Sequence, residues 1–249
     1  MKKMLSTIIA TSLTATGLMV TTAAFTTASA DVAYNAGVMS QYVFRGMMQR
    51  DGASLMGGAD YTNESGLYAG AWVAQVGSTG NVGAAQGFEV DLYGGIKKEV
   101  SGATLGAGFT SYQYTDKISS TKAGFDSAYN ELNFSLAYGP ITATVNPGYH
   151  EGVGGIGDKS YVFYSLKGEY AGFYALYGAF DKKAEAKGTN TQFDTMKDGS
   201  YIQAGYKFSL GGIDLDANLI NSSKELNMFG AKAGTDSAYT AVISATKAF

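Results

Sequence analysis

Charged side chains recur at alternate positions along this chain, and the chemistry they offer is electrostatic. Glu89 and Asp91 stand two apart, as do Lys167 and Glu169, and Asp214 and Asp216. In a strand, residues two apart share a face. Period-two reading collects Arg45, Asp60, Glu89, Asp91, Tyr93, Lys97, Glu131, Lys167, Glu169, Lys207, Asp214 and Asp216 onto one side of their segments, with acids outnumbering bases. Lining a pore, such a face sets an ion preference through its local potential. Shut away from water, the same charges must pair and would brace or plug the interior. Arg45, followed by Gly46, is expected at the outer rim of its strand. There a guanidinium can hold an anionic solute bidentately, or it can hold a loop or pair with lumen carboxylates.

Covalent chemistry has few candidates. A hydrolase would need a general base, and the single histidine is His150. Asn146 lies four residues before it and Ser160 lies across a loop, but no nucleophile motif surrounds Ser160, and His150 is expected in solvent at a rim. Gly152 to Gly157 matches G-x-G-x-x-G, yet a phosphate cradle needs a following helix and a strand pattern follows instead. Asp194 and Asp198 could hold Ca²⁺ loosely, without the spacing of an EF-hand. The chain has no cysteine, hence no thiolate chemistry and no disulfide. No catalytic residue, metal or cofactor is expected.

The elements that would carry these charges are strands. Twelve segments read as strands: 32–45, 53–61, 67–76, 87–97, 103–114, 128–138, 141–150, 160–170, 173–181, 199–208, 213–221 and 237–249. Their other face is apolar. Phe88, Val90, Leu92 and Ile96 oppose Glu89, Asp91 and Tyr93; Ile213, Leu215, Ala217 and Leu219 oppose Asp214, Asp216 and Asn218. Connections alternate between tight turns (62–66, 98–102, 139–140, 171–172, 209–212) and longer polar stretches. Short turns at one rim and long loops at the other are the habit of transmembrane β-barrels. Lipid cannot satisfy an open sheet edge, so the sheet must close. The expected fold is all-β, a transmembrane antiparallel up-and-down barrel of about twelve strands, with short periplasmic turns and longer extracellular loops. Aromatic residues at strand ends, such as Tyr42, Phe44, Phe88, Tyr138, Phe208 and Tyr239, are expected in the interfacial girdles.

The amino-terminus points the same way. Met1–Ala30 opens with Lys2 and Lys3, continues uncharged, and closes on Ala28-Ser29-Ala30, the pattern of a cleaved signal peptide. The barrel then spans 31–249. With 21 acidic and 18 basic residues, two of the basic ones in the leader, no basic surface for nucleic acid is expected.

Ser40-Gln41-Tyr42-Val43-Phe44-Arg45-Gly46, Gly66-Leu67-Tyr68-Ala69-Gly70-Ala71-Trp72 and Glu89-Val90-Asp91-Leu92-Tyr93-Gly94-Gly95 carry a resemblance. In order and spacing the chain resembles the TorF family of proteobacterial porins across its amino-terminal third. It departs from that family at Met47-Met48-Gln49 and at Gln75. The resemblance implies a passive outer-membrane pore and no catalytic residue. Likeness to outer-membrane proteins in general also implies that Phe249, the last residue, ends the strand read by the barrel-assembly machinery. The expected function is diffusion of small hydrophilic solutes or ions through the cell outer membrane, weakly cation-preferring, with a homo-oligomer allowed. The alternatives are a non-conducting barrel that presents its loops for adhesion and, third, a rim-site hydrolase.

Overall fold

The computed structural model describes residues 31–79, 86–115, 128–150, 159–181, 198–227 and 235–249, and among them every regular element is a strand. The leader, the Gly-rich stretch at 152–157 and Asp194 lie outside the described residues. Twelve strands form one closed antiparallel barrel: β1 (Asp31–Met39), β4 (Ser54–Thr62), β5 (Leu67–Gly77), β6 (Gln86–Val100), β7 (Ala103–Tyr114), β8 (Tyr129–Tyr138), β9 (Ile141–His150), β10 (Lys159–Tyr170), β11 (Phe173–Asp181), β12 (Ser200–Leu210), β13 (Ile213–Ser222) and β14 (Ala238–Ala248). Each pairs with its chain neighbour, and β1 closes the ring by pairing with β14 on one edge and β4 on the other. Phe249 joins this seam, its N–H donating to the Tyr34 carbonyl at 2.9 Å. The barrel sheet therefore has no edge strand, and its ladders pair backbone groups without water.

The turns explain why one rim is tight. Ser101-Gly102, Ala171-Gly172 and Gly211-Gly212 have positive φ at both central residues, the geometry of two-residue I′ hairpins. That twist matches the twist of the flanking strands. At Gly139-Pro140 only the glycine is left-handed, because proline cannot be. The other rim carries the longer connections.

Alternation sorts the side chains as expected. Phe88, Leu92, Ile96, Leu132, Phe134, Leu136, Ile202 and Leu219 stand exposed on the outer wall, with Tyr138, Tyr170, Phe173 and Tyr239 near the rims. Glu89, Asp91, Glu131, Lys167 and Asp216 are buried on the inner wall.

One expectation fails. The first strand does not run from 32 to 45. It ends at Met39, and the chain turns inward as a separate two-stranded hairpin, β2 (Tyr42–Phe44) and β3 (Met47–Arg50), before β4 begins. Tyr42, Val43 and Met47 pack with Met56, Trp72, Val76, Tyr201, Ile220 and Leu226 in an apolar cluster inside the barrel, at the long-loop end. Tyr42 and Phe44 are therefore interior residues and not girdle ones.

Inner-wall tyrosines lie flat because glycines face them. Asp60, Gly70 and Tyr93 are successive partners across β4, β5 and β6, and Tyr93 crosses the glycine to donate its hydroxyl to Asp60. Glu131, Gly148 and Tyr161 repeat the row across β8, β9 and β10, with the hydroxyl 2.7 Å from Glu131. Tyr174 crosses Gly205 and reaches Asp216, one pleat beyond the paired Asn218, at 3.1 Å. A Cβ at Gly70 would stand 2.5 Å from the Tyr93 ring, and one at Gly205 would stand 2.7 Å from the Tyr174 ring. Gly70→Ala and Gly205→Ala should therefore lift the ring off the wall, break its bond to the carboxylate and lower stability by about 1–3 kcal/mol. Gly168→Ala, whose Cβ meets only an ordinary contact at 3.5 Å, should be near neutral. Urea titration of the refolded barrel in detergent micelles measures all three.

A plugged lumen as the candidate functional site

The interior charges fall into two tiers. The tier nearer the long loops is built around the hairpin. Its turn, Arg45-Gly46, has φ of 49° and 80°. This is the same I′ geometry as the rim turns, with a non-glycine residue in the left-handed region. The guanidinium of Arg45 forks onto both carboxylate oxygens of Glu131 on β8. It also stacks over the Phe163 ring at 4.0 Å and the Phe44 ring at 4.8 Å. Arg45 is 2% and Glu131 1% exposed, so this is a fully desolvated pair, held in a frame of Tyr112 and Tyr161. The strands β6, β7, β8 and β10 present that frame because each places an inward residue at the same height. Tyr42 donates to Glu89 on β6 at 2.7 Å, and its ring meets Trp72 edge-on at 5.6 Å. Glu89 and Asp91 lie within electrostatic reach of Arg45. Behind the turn, Ser222 donates to the Gly46 carbonyl at 2.6 Å, and Leu226 and Tyr201 close over Gly46.

Arg45 is thus not at the outer rim of the first strand. It sits at the tip of an inward fold, and of its two expected roles the structure shows pairing with a lumen carboxylate. The pattern of alternation misses this because residues 42–44 continue the strand-like run after Met39. The available signal was the pair Arg45-Gly46, an x-Gly turn like Ser101-Gly102 and Ala171-Gly172.

The tier nearer the short turns is more open. Lys167 pairs with Glu169, which is 42% exposed, and Lys207 approaches the same carboxylate at 4.0 Å. Both ammonium groups lie over the Tyr174 ring, at 5.3 and 5.2 Å, and Tyr174 bonds Asp216. On the opposite wall Lys97 lies 4.9 Å from the Tyr68 ring and Tyr93 holds Asp60. Asp214, low on β13, accepts from Ser209. The sequence-derived set therefore divides: Arg45, Glu89, Asp91 and Glu131 form the hairpin tier, while Asp60, Lys97, Lys167, Glu169, Lys207, Asp214 and Asp216 form the other, with Tyr93 between.

Sequence reasoning missed the receptors of the hairpin: Tyr112, Tyr161 and Phe163, and Ser222 and Leu226 from the far end of the chain. It also placed His150 in solvent, whereas His150 is 1% exposed and packs on the Tyr129 ring at 4.5 Å. Ser160 lies on the outer wall while His150 and Asn146 are on the inner one, so the three do not converge. Among the described residues no cluster of acids and histidine is arranged to hold a metal.

Where the hairpin rejoins the barrel, Asp51 fastens it. Its carboxylate accepts from the Thr79 N–H, from the Thr79 hydroxyl at 2.8 Å and from the Ser78 hydroxyl at 2.7 Å. The Thr79 N–H foremost, then the two hydroxyls, hold the Asp51 carboxyl at about 2, below the usual carboxylate range.

Fold and site define a closed β-barrel with an apolar exterior and a charged lumen occupied by its own first connection. The chain belongs to the family described as bacterial protein of unknown function (Gcw_chp), whose model matches residues 23–246. No curated protein matches the chain. Among solved structures, it resembles one from work on in-meso crystallization of membrane proteins (10% identity, TM-score 0.51, covering 88% of this chain and 83% of that one). It is also similar to the outer membrane protein OpdK from Pseudomonas aeruginosa (14% identity, TM-score 0.41, 88% and 66%). Outer membrane phospholipase A from Escherichia coli is a further likeness (11% identity, TM-score 0.43, 90% and 98%). These likenesses concern the fold alone.

A carboxyl held low stabilises its folded contacts above its unfolded value near 4 and loses them as pH falls through its folded value. The Thr79 amide should therefore be protected from hydrogen exchange at pH 6 and lose that protection as pH drops from about 4 to 2. In Asp51→Asn the protection should be lower at pH 6 and flat across that window.

Proposed function

We propose that this protein is a channel of the bacterial outer membrane, passing small hydrophilic solutes or ions by passive diffusion, with its aperture set by the inward-folded β2–β3 hairpin. The observation that carries this reading is the division of the barrel wall: large apolar side chains stand exposed outside, while charges line the inside. An apolar belt of this extent on a closed sheet is at home in hydrocarbon, and the charged interior is at home around water. The resemblance of 40–46, 66–72 and 89–95 to the TorF porins supports the same reading. A signal peptide over 1–30 and a terminal Phe249 fit delivery through the barrel-assembly machinery. Short turns then face the periplasm and long loops the exterior.

Selectivity should favour cations weakly. Near the short turns, Asp60, Glu169, Asp214 and Asp216 outnumber Lys97, Lys167 and Lys207; in the hairpin tier Glu89, Asp91 and Glu131 face Arg45. No catalytic step belongs to this reading. A second reading, a non-conducting barrel that presents its outer loops, draws support from the burial of the hairpin tier.

Planar-bilayer recording of refolded Asp31–Phe249 tests the first against the second. Discrete conductance steps are expected, with a reversal potential under a salt gradient whose sign marks cations as the faster carriers. Glu169→Gln and Asp214→Asn should move that potential toward zero. An anion-selective pore would sink the cation assignment, and a folded barrel that stays silent even with the hairpin removed would favour the second reading.

A further inference from the structure

The hairpin is attached to the barrel by side-chain contacts and not by the barrel's hydrogen-bond ladder. Its two strands hydrogen-bond to each other and form their own two-stranded sheet, separate from the barrel sheet. Beneath it, β1 and β4 pair directly from Asp31 with Thr62 up to Met39 with Ser54. The ring is therefore complete without the hairpin, and removing the hairpin from the lumen breaks no barrel ladder. The two connecting points are fastened separately. The Ser40 N–H donates to the Ile243 carbonyl at 2.8 Å, and the Ile243 N–H donates to the Ser40 hydroxyl at 3.0 Å. Asp51 is tied to Ser78 and Thr79.

What holds the hairpin inside is a small set of side-chain contacts. The Arg45–Glu131 fork is the strongest; Tyr42 to Glu89, Ser222 to the Gly46 carbonyl and Arg50 to Gln86 at 2.9 Å add to it, and Tyr42, Val43 and Met47 pack in the apolar cluster. The fork is expensive on both sides. A desolvated ion pair gives back much of its Coulomb energy in lost hydration. Arg45 also sits in the left-handed region, which carries a small steric cost for a residue with a Cβ. Glu131 is the carboxylate in contact with this guanidinium, and the Nε–H of Arg45, buried as well, has no hydrogen-bond partner. These features describe a latch: directional when made, and costly to leave half-made.

We propose that the β2–β3 hairpin is a gate, held shut by the Arg45–Glu131 pair, and that the structure described here is the closed state of the channel. The inference rests on the channel reading and adds to it that the aperture switches between two states. With the fork broken, Glu131 and Arg45 each recover water only if the hairpin withdraws toward the long-loop rim. Opening is the release of the hairpin, with its rim anchors at Ser40 and Asp51 acting as pivots.

The test is single-channel recording on a set of refolded barrels, each checked for folding by heat-modifiable mobility on a gel. Replacing Ser40–Ala53 by Asn-Gly joins β1 and β4 as an ordinary hairpin and should give a permanently open pore. Arg45→Ala and Glu131→Gln should raise open probability by about tenfold or more, equivalent to about 1.4 kcal/mol taken from the latch. If the deletion conducts while the latch variants behave as the parent does, the hairpin is a fixed constriction; the gate is overturned and the channel reading stands. If even the folded deletion variant is silent, the channel reading falls and takes the gate with it.

Discussion

Every other feature of this molecule depends on the pairing of β1 along both of its edges. A sheet whose outer face is apolar cannot end in an open strand, because the unpaired N–H and C=O groups would meet hydrocarbon. β14 and β4 remove both edges of β1, and the carboxy-terminal Phe249 extends the seam to the tight rim. Closure turns alternation into a partition between an apolar outer wall and an enclosed, charged lumen. It also forces seven acids and four bases into one enclosed space, where they must find partners or water.

The interior meets that demand with a repeated device. A tyrosine on one strand lies across a glycine on the next and bonds an acid beyond it, at Tyr93, Tyr161 and Tyr174. The hydroxyls donate to the inner-wall carboxylates, to Glu131 alongside Arg45, and the flat rings keep clear of the barrel axis. This accounts for a composition rich in both glycine and tyrosine more specifically than close strand approach alone would. Without the glycines the rings would stand inward, and the carboxylates would lose their donors.

The hairpin is the point where local pattern and tertiary structure part. Tyr42, Val43 and Phe44 look like three more residues of a membrane strand, aromatic and β-branched. They are apolar because they pack against Trp72, Tyr201 and Leu226 inside the barrel. A local reading has no means of separating a residue that faces lipid from one that faces a protein core, since both are apolar. His150 and Ser160 show the converse: adjacency in sequence suggested a shared site, and the pleat sends them to opposite walls.

The strand number, the closed antiparallel order, the tight and loose rims and the inward placement of Glu89, Asp91, Glu131, Lys167, Lys207, Asp214 and Asp216 were all legible in the sequence. Period-two alternation and x-Gly turns are local properties, and the need to close follows from them. The partner of each charge was not legible. Arg45 and Glu131 are 86 residues apart, and Gly46 and Ser222 are 176 apart. Alternation tells which face a side chain takes, but not its height in the barrel or what folds back against it. Only the tertiary structure could decide that the first connection enters the lumen, because that choice rests on contacts among strands from both ends of the chain.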